Sequence, residues 1–281
     1  MQKLKIYLLT MIIGCSCSLA IAEQKPIRIV SADGSLTEII YALNREDVLV
    51  GVDTTSSFPV EAKSLPQIGY KRDISAEGVM SLEPDLLIAT QDSGPDKTLN
   101  QIEAAGILVK RYSASASLAT VKEKVIGVAE LLDMRPQGEL LWQSIKHDVE
   151  QAQLKIDRSK KPIKVLFILS IKSGSPIVAG DDTPVAEIIR LAGGINAVSG
   201  FTGYKAISLE ALVAAQPEAI LMVSDRIEQT DIDQLLKGPG ISQTPAGKHK
   251  KLVTMGASLM VGFGPRIGQA ISILSSAFYR N

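Results

Sequence analysis

Cysteine, histidine and tryptophan are scarce in this chain, and each scarcity removes a class of chemistry. The two cysteines, Cys15 and Cys17, both fall within the first 22 residues, which read as an export signal. Lys3 and Lys5 form its basic start, Ile6 to Ala20 is apolar, and Ala20-Ile21-Ala22 is a small-x-small cleavage site. A cut after Ala22 leaves no thiol, so disulfides, zinc–thiolate sites and cysteine nucleophiles are excluded. The two histidines, His147 and His249, have no metal-ligand spacing with each other, and both are expected at the surface. Gly-x-Ser-x-Gly elbows and phosphate loops are absent as well. An enzyme therefore has little to work with.

Long hydrophobic runs are also missing. The leader's own is too short to span a bilayer comfortably, and no later stretch approaches it. Neither charge sign is in excess. Removing Lys3 and Lys5 with the leader leaves 28 basic residues against 30 acidic, a formal charge of −2, which gives nucleic acid no basic surface. An exported chain without thiols is expected in the periplasm of a bacterium. Ile12-Ile13-Gly14-Cys15 offers an alternative, lipoprotein-type cut before Cys15, although the apolar Leu19 to Ala22 that would follow the lipid speaks against it.

What the chain does have is one passage written twice. Ile74-Ser75-Ala76-Glu77, followed by Pro84-Asp85-Leu86-Leu87-Ile88, returns as Ile207-Ser208-Leu209-Glu210, then Pro217-Glu218-Ala219-Ile220-Leu221. Each equivalent pair lies 133 positions apart without a gap. Any single copy is ordinary helix-start chemistry, with a serine cap and an acid in the first turn. Two copies at domain spacing point to two similar lobes, each carrying one carboxylate at a matching place.

The apolar pattern alternates short β-rich runs with helical stretches, an α/β signature. In a first lobe over 23–134, Ile27–Ser31, Val48–Asp53, Leu65–Tyr70, Leu86–Thr90 and Ile107–Tyr112 read as strands. In a second, over 161–281, Lys164–Ser170, Pro176–Ala179, Ala219–Val223 and Lys251–Met255 do. Between them, over 135–160, Pro136 opens a helix predicted to reach about Arg158, with Leu141, Ile145, Val149, Ala152 and Ile156 on one face. No flexible Gly/Ser linker is present, so a single stiff crossover helix should allow only small opening and closing.

The loop Gly69-Tyr70-Lys71-Arg72-Asp73 follows a short strand and should sit at a carboxyl strand end, where open α/β sheets hold ligands. Positive charge beside a tyrosine favours the phenolate, and phenolate oxygen is a good ligand for ferric iron, haem iron included. Lys71 or Arg72 could meet carboxylates of a ligand. A half-buried tyrosine packing a turn is the alternative.

The run from Leu65 to Asp85, with its Gly69-Tyr70-x-Arg72-x-x-Ser75-Ala76-Glu77-Gly78 string, resembles the haem-binding periplasmic proteins of bacterial haem-uptake ABC transporters. Ala179-Gly180, Ala192-Gly193-Gly194 and Gly262-Phe263-Gly264-Pro265-Arg266 resemble the wider class, which also carries cobalamin and ferric siderophores. The resemblance implies two Rossmann-like lobes joined by one long helix, the class III periplasmic binding protein fold. It implies ferric haem b as transported ligand, with Tyr70 as axial ligand to the metal. Arg72 and Lys71 become cleft cations, and Arg226 the arginine that enters from the second lobe to hydrogen-bond the tyrosine; a solvated loop arginine is the alternative for Arg226. Some relatives add a histidine from the second lobe. The matching turn here, Leu169 to Pro176, has none, which favours five-coordinate iron. Glu77 and Glu210 match the glutamates by which relatives dock on the permease. The protein is then expected to be a monomeric, non-catalytic carrier. A ferric-siderophore or cobalamin carrier of the same fold, and an exported enzyme, are the competing readings.

Overall fold

The computed structural model describes residues 27–156, 159, 161–172, 174–224 and 232–279. The leader, Arg158 and Arg226 therefore lie outside the described residues. In the first lobe, β1 (Ile29–Ala32), β2 (Leu49–Val52), β5 (Leu86–Thr90) and β6 (Leu108–Tyr112) form a parallel sheet in the order β2-β1-β5-β6. A separate hairpin, β3 (Gly69–Tyr70) and β4 (Asp73–Ile74), stands where a longer strand from Leu65 was expected. The chain before Gly69 makes only a bridge from Gln67 to Val52, because β2 ends there and offers no further ladder.

The second lobe combines β7 (Lys164–Lys172), β8 (Ser175–Ala179), β9 (Ile195–Asn196), β10 (Tyr204–Ala206), β11 (Ala219–Val223) and β12 (Leu252–Met255). Their order is β10-β8-β7-β11-β12, with β9 beside the start of β7. β8 and β10 run antiparallel and extend the sheet on one side.

Every central strand is buried on both faces, and alternate side chains feed two different cores. Ile29, Leu86, Ile88, Val165, Phe167, Ala219 and Leu221 enter one core shared by both lobes. Val30, Leu87 and Ala89 enter the first lobe's own outer cluster, and Leu166, Ile168, Ile220 and Met222 the second lobe's. The helix Arg135–Leu154 carries Ile145, Val149 and Ala152 into the shared core. Its 20 residues span about 30 Å. It stops at Leu154, four residues short of the expected end, and Ile156 leaves the helical face to lie where a side chain on Gly193 would strike it.

The two halves are also stitched by polar contacts. Arg266 donates to both oxygens of the buried Glu38, at 2.5 and 2.9 Å, and its guanidinium lies 3.7 Å from the centre of the Phe58 ring. Ser57 donates to Ser258 at 3.1 Å, and Lys124 reaches the Gly262 carbonyl at 3.4 Å.

The written repeat is a structural repeat. Ser75 and Ser208 each cap a helix, accepting from the amide three residues on at 3.0 and 3.1 Å. Glu83 and Gln216 each adopt a left-handed backbone, with φ of 45° and 46°. Asp85 then accepts the Arg28 amide at 2.8 Å, and Glu218 the Lys164 amide at 2.9 Å, so each carboxylate pins the start of the neighbouring strand. β5 and β11 begin one residue later, again 133 apart.

Candidate functional site

The site forms where β1, β2 and β5 all point their carboxyl ends. The β3–β4 hairpin closes over these ends. Gly69 has φ +98°, and a β-carbon there would lie 2.8 Å from the Asp73 carbonyl oxygen, so only glycine permits so tight a turn. Backbone bonds fasten the hairpin: the Gly69 carbonyl accepts from Thr54 at 2.9 Å, Ile68 from Ser75 at 3.0 Å, Lys71 from Gly94 at 2.9 Å, and Gly94 in turn from Ile74 at 3.0 Å. Gly69→Ala is expected to cost at least about 1 kcal/mol locally. Weaker ligand binding at a nearly unchanged melting temperature would show that cost confined to the hairpin.

Tyr70 leaves this hairpin 45% exposed, against the burial usual for a ring in a sheet. Arg72 reaches its phenolic oxygen at a long 3.5 Å and donates to Asp92 at 2.7 Å. Lys71 turns the other way. Its ammonium contacts Asp33 at 2.8 Å and Asp92 at 3.1 Å, and its side chain keeps only 16% of its surface. The two neighbouring cations thus separate: Arg72 stays beside the phenol in solvent, while Lys71 already has two carboxylates beneath it.

Below the hairpin the polar groups are nearly all paired. Asp33 caps the helix Gly34–Ala42 by accepting from the Ser35 amide at 2.9 Å. Lys124, only 3% exposed, donates to Ser35 at 2.7 Å. Burial alone would push the Asp33 carboxyl up, but Lys71 and Lys124 outweigh it and hold the group below its ordinary range. Burial dominates at Lys124 and lowers its ammonium, although Asp33 opposes that.

Burial also acts to raise the Asp92 carboxyl, yet Lys71, Thr90 and Arg72 bring it down to about 2. A depressed carboxyl contributes its stability above the unfolded value of about 3.9 and loses it as pH falls through the folded value. The stability contributed by the Lys71–Asp92–Arg72 pairing is therefore expected in full above about pH 4 and to fall away towards pH 2, where the carboxylate itself is protonated. Carboxyl NMR of Asp92 should show a midpoint near 2; a midpoint near 4 would contradict the pairing.

Arg226 lies outside the described residues, and β11 is followed only by Ser224 before that segment. The turn between β7 and β8 includes Ser173, also outside them. Glu77 and Glu210 are both exposed, each in the first turn of its serine-capped helix, and among the described residues neither enters a salt bridge. At Glu210 the hydrogen bond from Ser208 lowers the carboxyl. His147 and His249 are exposed. An apolar cavity of about 330 Å³ lies in the second lobe, lined by Ile171, Pro176, Leu209, Leu212, Leu235 and Ile241 among others; among the described residues no charged side chain lines it.

Sequence reasoning did not single out Asp33, Asp92, Lys124 or Tyr204. Asp33 follows β1 directly and Asp92 lies two residues after β5, both at carboxyl strand ends, a signal that was available. Lys124 was not legible, because a lysine in an amphipathic helix reads as a solvated one.

Two lobes built on open sheets with parallel central strands, one connecting helix, and an exposed phenol beside a cation at the first lobe's carboxyl strand ends define a ligand-binding clamp. The chain belongs to the periplasmic binding protein family, whose sequence profile matches residues 29–259. It superposes on the periplasmic heme-binding protein RhuT from Roseiflexus sp. RS-1 in apo form with a TM-score of 0.86 and 39% identity, covering 91% of this chain and 98% of that one. The heme-binding protein BhuT in complex with two hemes gives 0.86 and 35%, covering 90% and 98%. A vitamin B12-binding protein of Vibrio vulnificus (strain CMCP6) is 27% identical over 260 residues, 91% of this chain and 92% of its own length. The family and these neighbours are substrate-binding proteins. The class III architecture of two lobes is thereby established for this chain.

Proposed function

We propose that this protein carries ferric haem in the periplasm, holding it between its lobes and delivering it to an inner-membrane ABC importer. The observation that carries the reading is Tyr70, a half-exposed phenol presented by a glycine-tightened hairpin beside the Arg72 guanidinium. A tyrosine oxygen open to solvent is a ligand that ferric haem iron accepts, and the guanidinium beside it supplies a hydrogen-bond donor to that oxygen. Lys71 anchors the hairpin, Arg72 faces the tyrosinate or the propionates, and Arg226 is the second-lobe partner that the resemblance implies. With no histidine in the turn between β7 and β8, five-coordinate iron is the expected state. A cleaved leader, with 23–134 and 161–281 as the lobes around the 135–160 link, completes the picture.

Hemin added to the mature protein should give a tyrosinate-type, high-spin absorption spectrum at one equivalent. A protein that ignores hemin but binds cobalamin or a ferric siderophore would overturn the assignment. The B12-binding relative favours cobalamin as the second reading, but Tyr70 beside Arg72 offers that ligand's shielded metal nothing.

For delivery, Glu77 and Glu210 are the proposed contacts to permease arginines. Two exposed carboxylates on matching helix starts set register and steer association more than they add affinity. Replacing both by lysine should leave the hemin spectrum intact and reduce transporter-dependent uptake by on the order of 10-fold or more. Unchanged uptake with intact haem binding would remove them from the docking surface.

A further inference from the structure

Opposite the hairpin, the second lobe places a tyrosine that has no assigned task. Tyr204 begins β10, the edge strand of its sheet, and remains 46% exposed although it is a large aromatic. Its backbone is delivered there by a purpose-shaped turn. Gly180 lets the chain at Phe201 pass so close that a β-carbon would lie 2.3 Å from the Phe201 carbonyl oxygen. Gly200 and Gly203 take positive φ, and Asp181 accepts the Gly200 amide at 2.7 Å. The Ala179-Gly180 pair thus acquires a structural reason.

The ring itself is braced. Phe167, buried in β7, meets it edge to face at 6.4 Å and 66°. The phenol is not remote from the first lobe, since Arg72 is under the influence of both Tyr70 and Tyr204. Burial raises the Tyr204 hydroxyl, with the Arg72 charge only partly opposing it.

We propose that Tyr204 is a further ligand-contacting residue of the cleft, one that packs its ring on the porphyrin macrocycle from the second lobe and does not bind the iron. This deepens the haem reading and rests on it. A half-exposed ring braced edge to face on Phe167 suits a flat aromatic ligand, and contacts of this kind are set by the ring and not by the metal. The two tyrosines then divide the recognition: Tyr70 reads the metal, Tyr204 the plate around it.

Hemin and metal-free protoporphyrin IX, titrated into wild type, Tyr204→Ala, Tyr204→Phe and Tyr70→Phe, separate these roles. Tyr204→Ala should weaken both ligands by the same factor, about 5- to 10-fold, a typical size for one aromatic contact. Tyr204→Phe keeps the edge-to-face packing on Phe167 and should stay within about 2-fold for both, with the hemin spectrum unaltered. Tyr70→Phe should weaken hemin alone. A Tyr204→Ala loss confined to hemin, an altered hemin spectrum in Tyr204→Phe, or no loss with either ligand would overturn the proposal. If the wild type binds neither porphyrin, the haem reading itself fails, which is a separate result.

Discussion

Tyr70→Ala should lower hemin affinity by about 100-fold or more, equivalent to about 2.8 kcal/mol at 1.4 kcal/mol per decade. Among the described residues beside the hairpin, nothing offers a substitute. Arg72 and Lys71 are cations, the carboxylates Asp33 and Asp92 are already paired with them, and the histidines lie at exposed positions on other elements. The iron would keep only water and the contacts of the macrocycle. Tyr70 sits on a two-residue strand, half exposed, so its truncation removes little packing and the melting temperature of the apo protein should move by no more than about 1–2 °C. The spectrum is the decisive readout: hemin bound to the variant should lose the tyrosinate signature. A variant that keeps both spectrum and affinity would remove this residue from the metal.

Asp33→Ala should have the largest effect on stability, roughly 3–5 kcal/mol, because it leaves one buried ammonium short of a partner and another without its nearest compensating charge. Asp33 is 7% exposed, contacts Lys71 at 2.8 Å, caps the helix Gly34–Ala42 and offsets the desolvation of Lys124. For a chain of this size that translates into a fall in melting temperature of roughly 10 °C or more. Haem binding should suffer too, since Lys71 anchors the hairpin that bears Tyr70. Asp33→Asn is the informative companion: it keeps the cap but not the charge, and should recover the helix-cap share, about 1 kcal/mol. An Asp33→Ala protein as stable as wild type would mean that water replaces the carboxylate without cost.

Much of the architecture was legible beforehand because both lobes obey local rules. The strands at 86–90 and 219–223 are runs of apolar residues after a proline, and the structure places β5 and β11 there. The serine caps at 75 and 208 behave as their neighbours predict. Less legible were elements defined only by pairing. β10 has three exposed residues and no apolar alternation, so it exists because β8 offers an open edge. The sequence shows the hairpin at Tyr70 only as the end of a longer strand, since nothing local announces where β2 stops providing partners.

By itself the sequence determined the α/β alternation, the doubled unit with its capped helices, and the tyrosine loop beside two cations, because each depends on neighbours within a few positions. Only the tertiary structure decided which of those cations is anchored below the phenol and which remains beside it. It alone brought Asp33, Asp92 and Lys124 together under the hairpin, and Tyr204 of the second lobe into the range of the Arg72 charge. Those partners lie between 20 and more than 130 residues apart along the chain, and such distances are closed by sheet order and shared burial, which no local pattern encodes.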